Sequence, residues 1–178
     1  MLGAMILTGG GSSRMGEDKA GLDWGGVSAV ARLSALAREV GAAHLCTVGA
    51  GDHGLPAVTD EPAAGGPVGG VLAGSAALRG QGCVRTLVLA VDAPTLRPED
   101  LLALLAQPGP GAAYAGLHFP AVVDLAAVSA AARADWPMAR LWERAGLVRL
   151  PCPDAARLRL RGANTPQERT ALLAELRP

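Results

Sequence analysis

Apolar and polar residues follow two alternating patterns along the chain. Short apolar runs, AMILT at 4–8 and VRTLVLAV at 84–91, predict buried strands. Between them, VSAVARLSALAREVG at 27–41 has apolar residues at helical spacing and ends on a glycine, which is typical of an amphipathic helix. Because strands alternate with helices, the pattern predicts an α/β fold: a three-layer α/β/α sandwich with a mostly parallel, Rossmann-like twisted sheet.

The rest of the chain continues this alternation. We find no internal repeat and no break in composition, so we expect residues 1–178 to form a single domain. Further helices are predicted at 68–80, 97–107, 125–135, 138–146 and 165–176. Further strands are predicted at 44–49, 55–58, 112–116, 118–124, 147–151 and 156–162.

Composition and charge narrow the class of protein. Half of the residues are hydrophobic and 18% are charged, which excludes intrinsic disorder. The formal net charge is zero, so we expect neither a nucleic-acid partner nor binding to an anionic membrane surface. No apolar stretch resembles a signal peptide or a membrane span, and the three cysteines are widely spaced. These features predict a cytoplasmic protein with reduced thiols.

A glycine-rich segment, LTGGGSSRMGEDKAGL at 7–22, follows the first predicted strand. A strand, a glycine turn and a helix together present backbone N–H groups to an anion, usually a phosphate. The segment is not a P-loop, because Glu17 stands where that motif needs lysine, and Arg14 replaces the last glycine of the dinucleotide-binding motif. Lys19 is the only lysine in the chain, among sixteen basic residues. This use of lysine suggests a position that needs a compact ammonium group.

Four segments in order resemble one enzyme family. The glycine-rich segment resembles L-x-G-G-x-S-x-R-M-G-x-D-K-x-x-L, and TDEPAAGGPVGGVLAG resembles D-x-x-x-x-x-G-P-L-A-G. LAVDAPTL resembles a strand ending in D-x-P, and ANTPQE resembles an N-T-P-E element. The chain is therefore similar to the nucleotidyltransferases of molybdopterin dinucleotide synthesis, and among them to the molybdenum cofactor guanylyltransferases.

The resemblance implies a nucleotidyltransferase domain that transfers GMP from GTP to molybdopterin and releases pyrophosphate. It implies Mg²⁺ as cofactor, with Asp92 as the metal ligand, because magnesium prefers carboxylate and phosphate oxygens. Lys19 and Arg14 would neutralise the phosphates, so the implied catalytic residues are Lys19, Arg14 and Asp92. From the residues alone, Asp92 could instead belong to an Asp-x-Pro turn that caps the next helix.

The resemblance also implies the contacts to the nucleotide. The backbone of Leu7, Thr8, Gly9 and Gly10 would face the base and ribose, with Lys19 and Asp92 at the phosphates. Asp60 matches the acid that accepts the two N–H donors on one edge of guanine; the residues alone equally allow a turn residue before Glu61.

Two departures from the family pattern concern the same sites. Val48 or Gly49 stands where the family has an asparagine that contacts the base, so guanine selectivity would either be weaker or rest on backbone groups. Gly162 replaces a second asparagine two positions before Asn164. For the acceptor, the resemblance points to His118 and Asn164, and Asn164 could alternatively cap the final helix.

Other interpretations remain open at this point. Arg157, Arg159 and Arg161 alternate along a predicted strand, whose single basic face is either an acceptor-phosphate site or a solvated edge. The chain could also be a cytidylyltransferase acting on the same cofactor, a sugar-phosphate nucleotidyltransferase, or a catalytically inert nucleotide-binding adaptor. We expect GTP and molybdopterin as ligands, with transient contacts to proteins that deliver the cofactor or to molybdoenzymes.

Overall fold

The computed structural model describes residues 1–8, 22–59 and 65–176. Within these ranges the chain forms seven strands and six α-helices. In chain order they are β1 (Leu2–Leu7), α1 (Ala29–Glu39), β2 (His44–Val48), β3 (Ala57–Val58), α2 (Gly66–Gly80), β4 (Arg85–Ala90), α3 (Pro98–Ala106), β5 (Gly111–Tyr114), β6 (Ala121–Asp124), α4 (Met138–Arg144), β7 (Val148–Leu150), α5 (Arg157–Arg161) and α6 (Pro166–Ala174).

The strands form one mixed sheet in the order β3-β2-β1-β4-β6-β5-β7. β1 pairs in parallel with both β2 and β4, and β2 with β3. β6 runs antiparallel to its neighbours β4 and β5, so β4, β5 and β7 point the same way. The predicted mostly parallel sheet is confirmed, with β6 as the antiparallel strand among the described residues.

Helices cover both faces of the sheet, as the alternating pattern predicts. Side chains of β1 alternate between the faces: Ile6 packs in a core cluster with Leu33 of α1, and Met5 packs in a second cluster with Val71 of α2 and Trp142 of α4. The first cluster also contains residues of α3, α5 and α6. The three-layer α/β/α arrangement is therefore confirmed.

Small residues in α2 let this helix pack closely on the sheet. A Cβ atom added at Gly74 would lie 2.9 Å from the Met5 sulfur and 3.0 Å from Cγ2 of Val48, so a larger residue at this helix position would force these side chains to shift. The close approach brings the first turns of α2 near the end of β2.

The helix predicted at 125–135 is wrong. The segment contains a 3₁₀ turn at Leu125–Ala127 and then irregular structure up to α4. Oδ1 of Asp124 accepts a hydrogen bond from the Ala126 N–H at 2.8 Å, and Oγ of Ser129 accepts one from the Ala131 N–H at 3.2 Å. These local side-chain-to-backbone bonds compete with helical bonds and favour turns despite the alanine-rich composition.

The strand predicted at 156–162 is also wrong, because residues Arg157–Arg161 form the short helix α5. In a helix, side chains two positions apart point about 200° apart, so Arg159 lies on the opposite side of α5 from Arg157 and Arg161. Arg157 pairs with Asp154, Arg159 with Asp100, and Arg161 with Glu168. The proposed basic strand face for an acceptor phosphate does not exist.

Two further features concern the cysteine thiols and the length of the helices. Cys46, Cys83 and Cys152 are all free, and the first two are buried. Burial raises the pKa of Cys46 to about 11, so this thiol is protonated at neutral pH. Among the described helices, none has both the length and the apolar composition that a membrane crossing requires.

Candidate active site

Three parallel strands end together at one edge of the sheet. The last residue of β1, Leu7, pairs with Val48 of β2 on one side and with Ala90 of β4 on the other. The chain therefore leaves the three strands side by side, at Thr8, Gly49 and Val91. We call this edge the carboxyl edge. The segment that follows Thr8 begins there.

The strand order reverses at β1. The chain passes from β1 through α1 to β2 on one side, and later returns through α2 to β4 on the other side. α1 and α2 pack on opposite faces of the sheet. In open α/β sheets, ligands bind in the crevice outside the carboxyl ends of strands at such a reversal. The fold therefore places the candidate site between the ends of β1 and β4.

Thr8 fixes the end of β1 to β2. Its backbone N–H donates to the Val48 carbonyl at 2.8 Å, and its hydroxyl donates to the same carbonyl at 3.0 Å. The Leu7 carbonyl accepts from the Val91 N–H at 3.3 Å. Because these groups bond within the sheet, they anchor the start of the glycine-rich segment rigidly.

The end of β2 offers no polar side chain toward the site. Val48 is 2% exposed and packs in the core between β1 and α2. Gly49 has φ +123° and donates its N–H to the Val58 carbonyl at 3.1 Å. The structure therefore agrees with the sequence that neither residue replaces the family's asparagine through a side chain.

Asp92 lies directly at the carboxyl edge, two residues after β4 ends at Ala90. The residue is half-buried, and its backbone carbonyl accepts a hydrogen bond from the Ala163 N–H at 2.9 Å. The alternative that Asp92 caps the next helix is wrong. α3 begins at Pro98, and the Asp100 carboxylate accepts the Arg97 N–H at 2.9 Å at that helix start.

Gly162 gives the chain its close approach to Asp92. It ends α5 with φ +78° and ψ 178°, a conformation that residues with a side chain rarely adopt. A Cβ atom at this position would lie 2.2 Å from the Asp92 carbonyl oxygen. Glycine is therefore required here by the contact, and asparagine would not fit this backbone. The departure from the family pattern at Gly162 therefore has a structural reason.

We expect Gly162→Ala to lower both stability and turnover. The added methyl group must push residues 162–164 away from Asp92, at a cost of about 1–3 kcal/mol in the free energy of unfolding. Because Ala163 is hydrogen-bonded to the Asp92 carbonyl, Asp92 shifts when this turn moves, and we expect a roughly tenfold loss of turnover. Denaturant unfolding and a pyrophosphate-release assay measure the two effects.

Gly109→Ala is the matched control for this prediction. Gly109 has the same φ of +78°, but nothing lies within 4 Å of its added Cβ, and it precedes β5 at the opposite edge of the sheet. It therefore carries the backbone strain without the collision, and we expect unchanged turnover. Equal losses in both variants would show that strain alone, and not contact with Asp92, explains the effect.

Asn164 follows this contact and is exposed. The alternative that it caps α6 is wrong, because Thr165 is the N-cap and its hydroxyl accepts the Glu168 N–H at 3.2 Å. The Glu168 carboxylate accepts the backbone N–H of Asn164 at 2.8 Å. This bond, followed by the ion pair with Arg161, lowers the pKa of Glu168. The capping bonds hold the Asn164 backbone and leave its side-chain amide out of the cap.

His118 lies in the β5–β6 connection, which returns to the same edge because β5 runs parallel to β4. It is exposed, and its carbonyl accepts from Nε1 of Trp142 at 3.0 Å. Partial desolvation, followed by the charge of Arg149, lowers the pKa of His118, so the ring is neutral at neutral pH. β6 separates β5 from β4, which places this connection about 10 Å along the edge from the end of β4.

Several predicted site residues lie outside the described residues. These are Gly9, Gly10, Arg14, Lys19 and Asp60. Their roles stay predictions from the sequence and from the resemblance. Among the described residues, the structure brings Leu7, Thr8, Asp92, His118 and Asn164 to one edge of the sheet.

The donor set at this edge fits a magnesium ion. Asp92 offers a carboxylate, and Asn164, next to the residue bonded to Asp92, carries a side-chain carbonyl; both are hard oxygen donors. Magnesium is commonly held by one or two protein carboxylates, with substrate phosphates and water completing its shell. Within the described ranges no three His, Cys, Asp or Glu residues cluster.

The family called MobA-like NTP transferase domain matches residues 4–150, from β1 to the end of β7. The chain belongs to this family. The matched range contains the glycine-rich segment, Asp60 and Asp92, so the resemblance based on ordered motifs is confirmed at the level of the family. Asn164 and α6 lie beyond the matched range.

Individual relatives agree with this membership. Over 114 residues, or 61% of this chain, it is 37% identical to the molybdenum cofactor guanylyltransferase of Rhodobacter capsulatus, with 60% of that protein aligned. Over 99 residues, or 53% of this chain, it is 37% identical to the probable molybdenum cofactor guanylyltransferase of Pelotomaculum thermopropionicum, with 47% aligned. The chain thus spans about half the length of the curated relatives it matches.

A solved structure shares the fold along nearly the whole chain. A nucleotidyl transferase from Methanothermobacter thermautotroptrophicus superimposes with a TM-score of 0.72 over 98% of this chain and 99% of that one. The two sequences are 17% identical, so the similarity is one of fold. It confirms the α/β architecture that the sequence predicts.

Proposed function

We propose that this chain is a magnesium-dependent guanylyltransferase that transfers GMP from GTP to molybdopterin and releases pyrophosphate. One observation carries the proposal: in a chain of the MobA-like NTP transferase family, the carboxylate-bearing residue Asp92 is fixed at the sheet edge where the glycine-rich segment leaves β1. The curated relatives named molybdenum cofactor guanylyltransferase support the choice of nucleotide and acceptor.

The reaction exchanges one phosphoanhydride bond for another. A phosphate oxygen of the acceptor forms a bond to the α-phosphorus of GTP, and the bond between that phosphorus and the α–β bridging oxygen breaks. The electron pair goes to the pyrophosphate that leaves. Catalysis of such a transfer consists mainly of positioning and of neutralising charge on the phosphate oxygens.

The described residues support the positioning. Thr8 holds the end of β1 on β2, so the segment bearing Lys19 and Arg14 starts from a fixed point. Asp92 would hold Mg²⁺, which supplies positive charge to the triphosphate when bound. Lys19 would neutralise the α- and β-phosphates, and Arg14 would hold the β/γ end through its planar guanidinium.

Base choice depends on Asp60 and on the backbone of the glycine-rich segment. A single carboxylate accepts the N1 and N2 donors of guanine together, and cytosine lacks this pair of ring and exocyclic donors. Val48 and Gly49 add no side-chain hydrogen bond, so removing Asp60 should abolish most of the discrimination. Charge-assisted hydrogen bonds of this kind contribute about 1.5–3 kcal/mol each.

Acceptor binding uses the rest of the carboxyl edge in this proposal. The neutral ring of His118 and the exposed amide of Asn164 flank the end of β4 and would contact the pterin or its phosphate. Transient contacts with a protein that delivers the cofactor, or with a molybdoenzyme that receives it, belong to the same proposal. We place the activity in the cytoplasm, without nucleic-acid or membrane partners.

The test is a comparison of nucleotides with the purified chain. We expect pyrophosphate release with GTP, Mg²⁺ and molybdopterin, with kcat/KM for GTP at least tenfold above that for CTP, ATP or UTP. Asp60→Ala should reduce the preference for GTP over CTP by about tenfold or more. The control Asp52→Ala changes an exposed acid in the loop after β2 and should keep the preference.

Other results would favour the alternatives. A preference for CTP would make the chain a cytidylyltransferase. Pyrophosphate release with a sugar 1-phosphate and not with molybdopterin would indicate a sugar-phosphate nucleotidyltransferase. Binding of GTP and Mg²⁺ without pyrophosphate release from either acceptor would indicate an inert adaptor.

A further inference from the structure

We propose that Arg159 and Asp100 are positioning residues: their buried ion pair holds the turn at residues 162–164 against Asp92 and thereby fixes the Asp92 carboxylate. The inference rests on the role of Asp92 under the proposed function. Neither residue belongs to a recognised motif of the sequence, and the two lie 59 positions apart. The structure brings them together.

The pair has the geometry of a strong interaction. Nε and Nη2 of Arg159 donate to the two carboxylate oxygens of Asp100 at 3.1 and 2.9 Å. The side chains are 12% and 3% exposed, so water competes little with these bonds. The hydrogen bonds from Asp100 are the largest factor raising the pKa of Arg159.

Asp100 is itself held from two other sides. Its carboxylate accepts the Arg97 N–H at 2.9 Å, and its backbone carbonyl accepts the Tyr114 hydroxyl at 2.8 Å. These bonds fix the first turn of α3 relative to β5. Asp100 is therefore held in a fixed position at the end of the segment 92–100.

Arg159 links Asp100 to the turn at residues 162–164. Nη1 of Arg159 donates to Glu175 at 3.1 Å, which ties α5 to the end of α6. Gly162 closes α5 by donating its N–H to Leu158 at 2.9 Å, and the next residue, Ala163, donates to the Asp92 carbonyl. The contact with Asp92 thus sits within four residues of the guanidinium.

These links form a closed ring. The chain connects Asp92 to Asp100, the ion pair connects Asp100 to Arg159, the chain connects Arg159 to Ala163, and a hydrogen bond returns from Ala163 to Asp92. Breaking the buried ion pair between Asp100 and Arg159 removes one of these links, so α5 becomes free to tilt. Because Gly162 touches the Asp92 backbone directly, such a tilt changes where the carboxylate points.

The experiment compares Asp100→Asn and Arg159→Lys with the unmodified chain. Asp100→Asn keeps an oxygen for the Arg97 N–H and the side-chain volume, so we expect this variant to fold. We expect kcat for GMP transfer to fall about tenfold while KM for GTP changes less than twofold. Arg159→Lys keeps the charge but loses the fork, and should retain activity between that of Asp100→Asn and that of the unmodified chain.

A second measurement separates positioning from simple stability. Amide hydrogen exchange should accelerate at least tenfold at Ala163 in Asp100→Asn, while the amides of β1 and β4 keep their protection. The matched control is Arg133→Lys, since Arg133 makes the same forked pair with Asp135 at 3.1 and 2.6 Å, but on an exposed surface. We expect no change in kcat or in Ala163 exchange for this control.

Opposite results would overturn the proposal. Unchanged kcat and unchanged exchange at Ala163 would show that the ion pair does not hold the turn. Parallel loss of protection in β1, β4 and Ala163 would reduce the pair to a general stabiliser. If the unmodified chain releases no pyrophosphate, the proposed function fails, and exchange at Ala163 alone then decides whether the pair holds the turn.

Discussion

Asp92→Asn is expected to reduce kcat for GMP transfer at least 100-fold, which corresponds to about 2.7 kcal/mol of transition-state stabilisation. The substitution keeps the size and shape of the side chain but removes the charge that a magnesium ion needs from its protein ligand. The fold should persist, since the bond from Ala163 goes to the backbone carbonyl of residue 92. Pyrophosphate release at saturating Mg²⁺ and thermal unfolding measure the two effects.

Asp124→Asn provides a matched control. Asp124 is also half-buried and also lies at the end of a strand, but β6 ends at the opposite edge of the sheet. Its side chain accepts the Ala126 N–H, which asparagine also allows. We expect turnover within twofold of the unmodified chain. Turnover within tenfold for Asp92→Asn, or an equal loss in both variants, would contradict the proposed role of Asp92 as a metal ligand.

Most of the fold could be predicted because its strands and helices carry local signals. The aliphatic runs of β1 and β4 need burial on both faces, and a sequence alternating such runs with helices leaves a parallel sheet as the natural solution. Ser28 and Thr165 cap α1 and α6 with side-chain oxygens, so residues next to each helix determine where it begins.

The two wrong elements lacked such decisive signals. In α5, alternating Arg and Leu fits a short strand as well as a helix of little more than one turn. Its choice of helix depends on partners distant in sequence, Asp100 and Glu175, which pair with Arg159. For residues 125–135, the alanine content favours a helix, but the side chains of Asp124 and Ser129 bind backbone N–H groups locally instead.

The residues of the candidate site also differ in whether the sequence alone reveals them. Asp92 could be found from its motif, because a carboxylate after a buried strand must lie at the carboxyl edge. The sequence shows Gly162 only as a departure from the family pattern, because only the folded chain shows that a Cβ there would meet the Asp92 carbonyl. The ion pair of Asp100 and Arg159 joins segments 59 residues apart and left no local pattern to detect.

The second large effect is expected at Lys19, where Lys19→Ala should lower kcat about 100-fold and Lys19→Arg should recover less than a tenth of the lost rate. Negative charge shifts from the α-phosphate toward the leaving pyrophosphate during the transfer. A compact ammonium on a flexible stem can follow this shift, whereas the planar fork of arginine is fixed to one pair of oxygens. Arg38→Ala, an exposed cation in the last turn of α1, is the control and should leave kcat unchanged.

Because Lys19 is the only lysine in the chain, it also permits a chemical test without mutation. Acetylation by an amine-directed reagent removes the charge of this one side chain and should abolish turnover in proportion to the modified fraction measured by mass spectrometry. GTP with Mg²⁺ should protect Lys19, since the bound triphosphate would cover the ammonium. The Lys19→Arg variant should keep its residual activity under the same reagent, which accounts for modification of the chain's terminal amine. Full turnover after complete acetylation would show that the transferred phosphate is neutralised by other groups, with Arg14 the first to be examined.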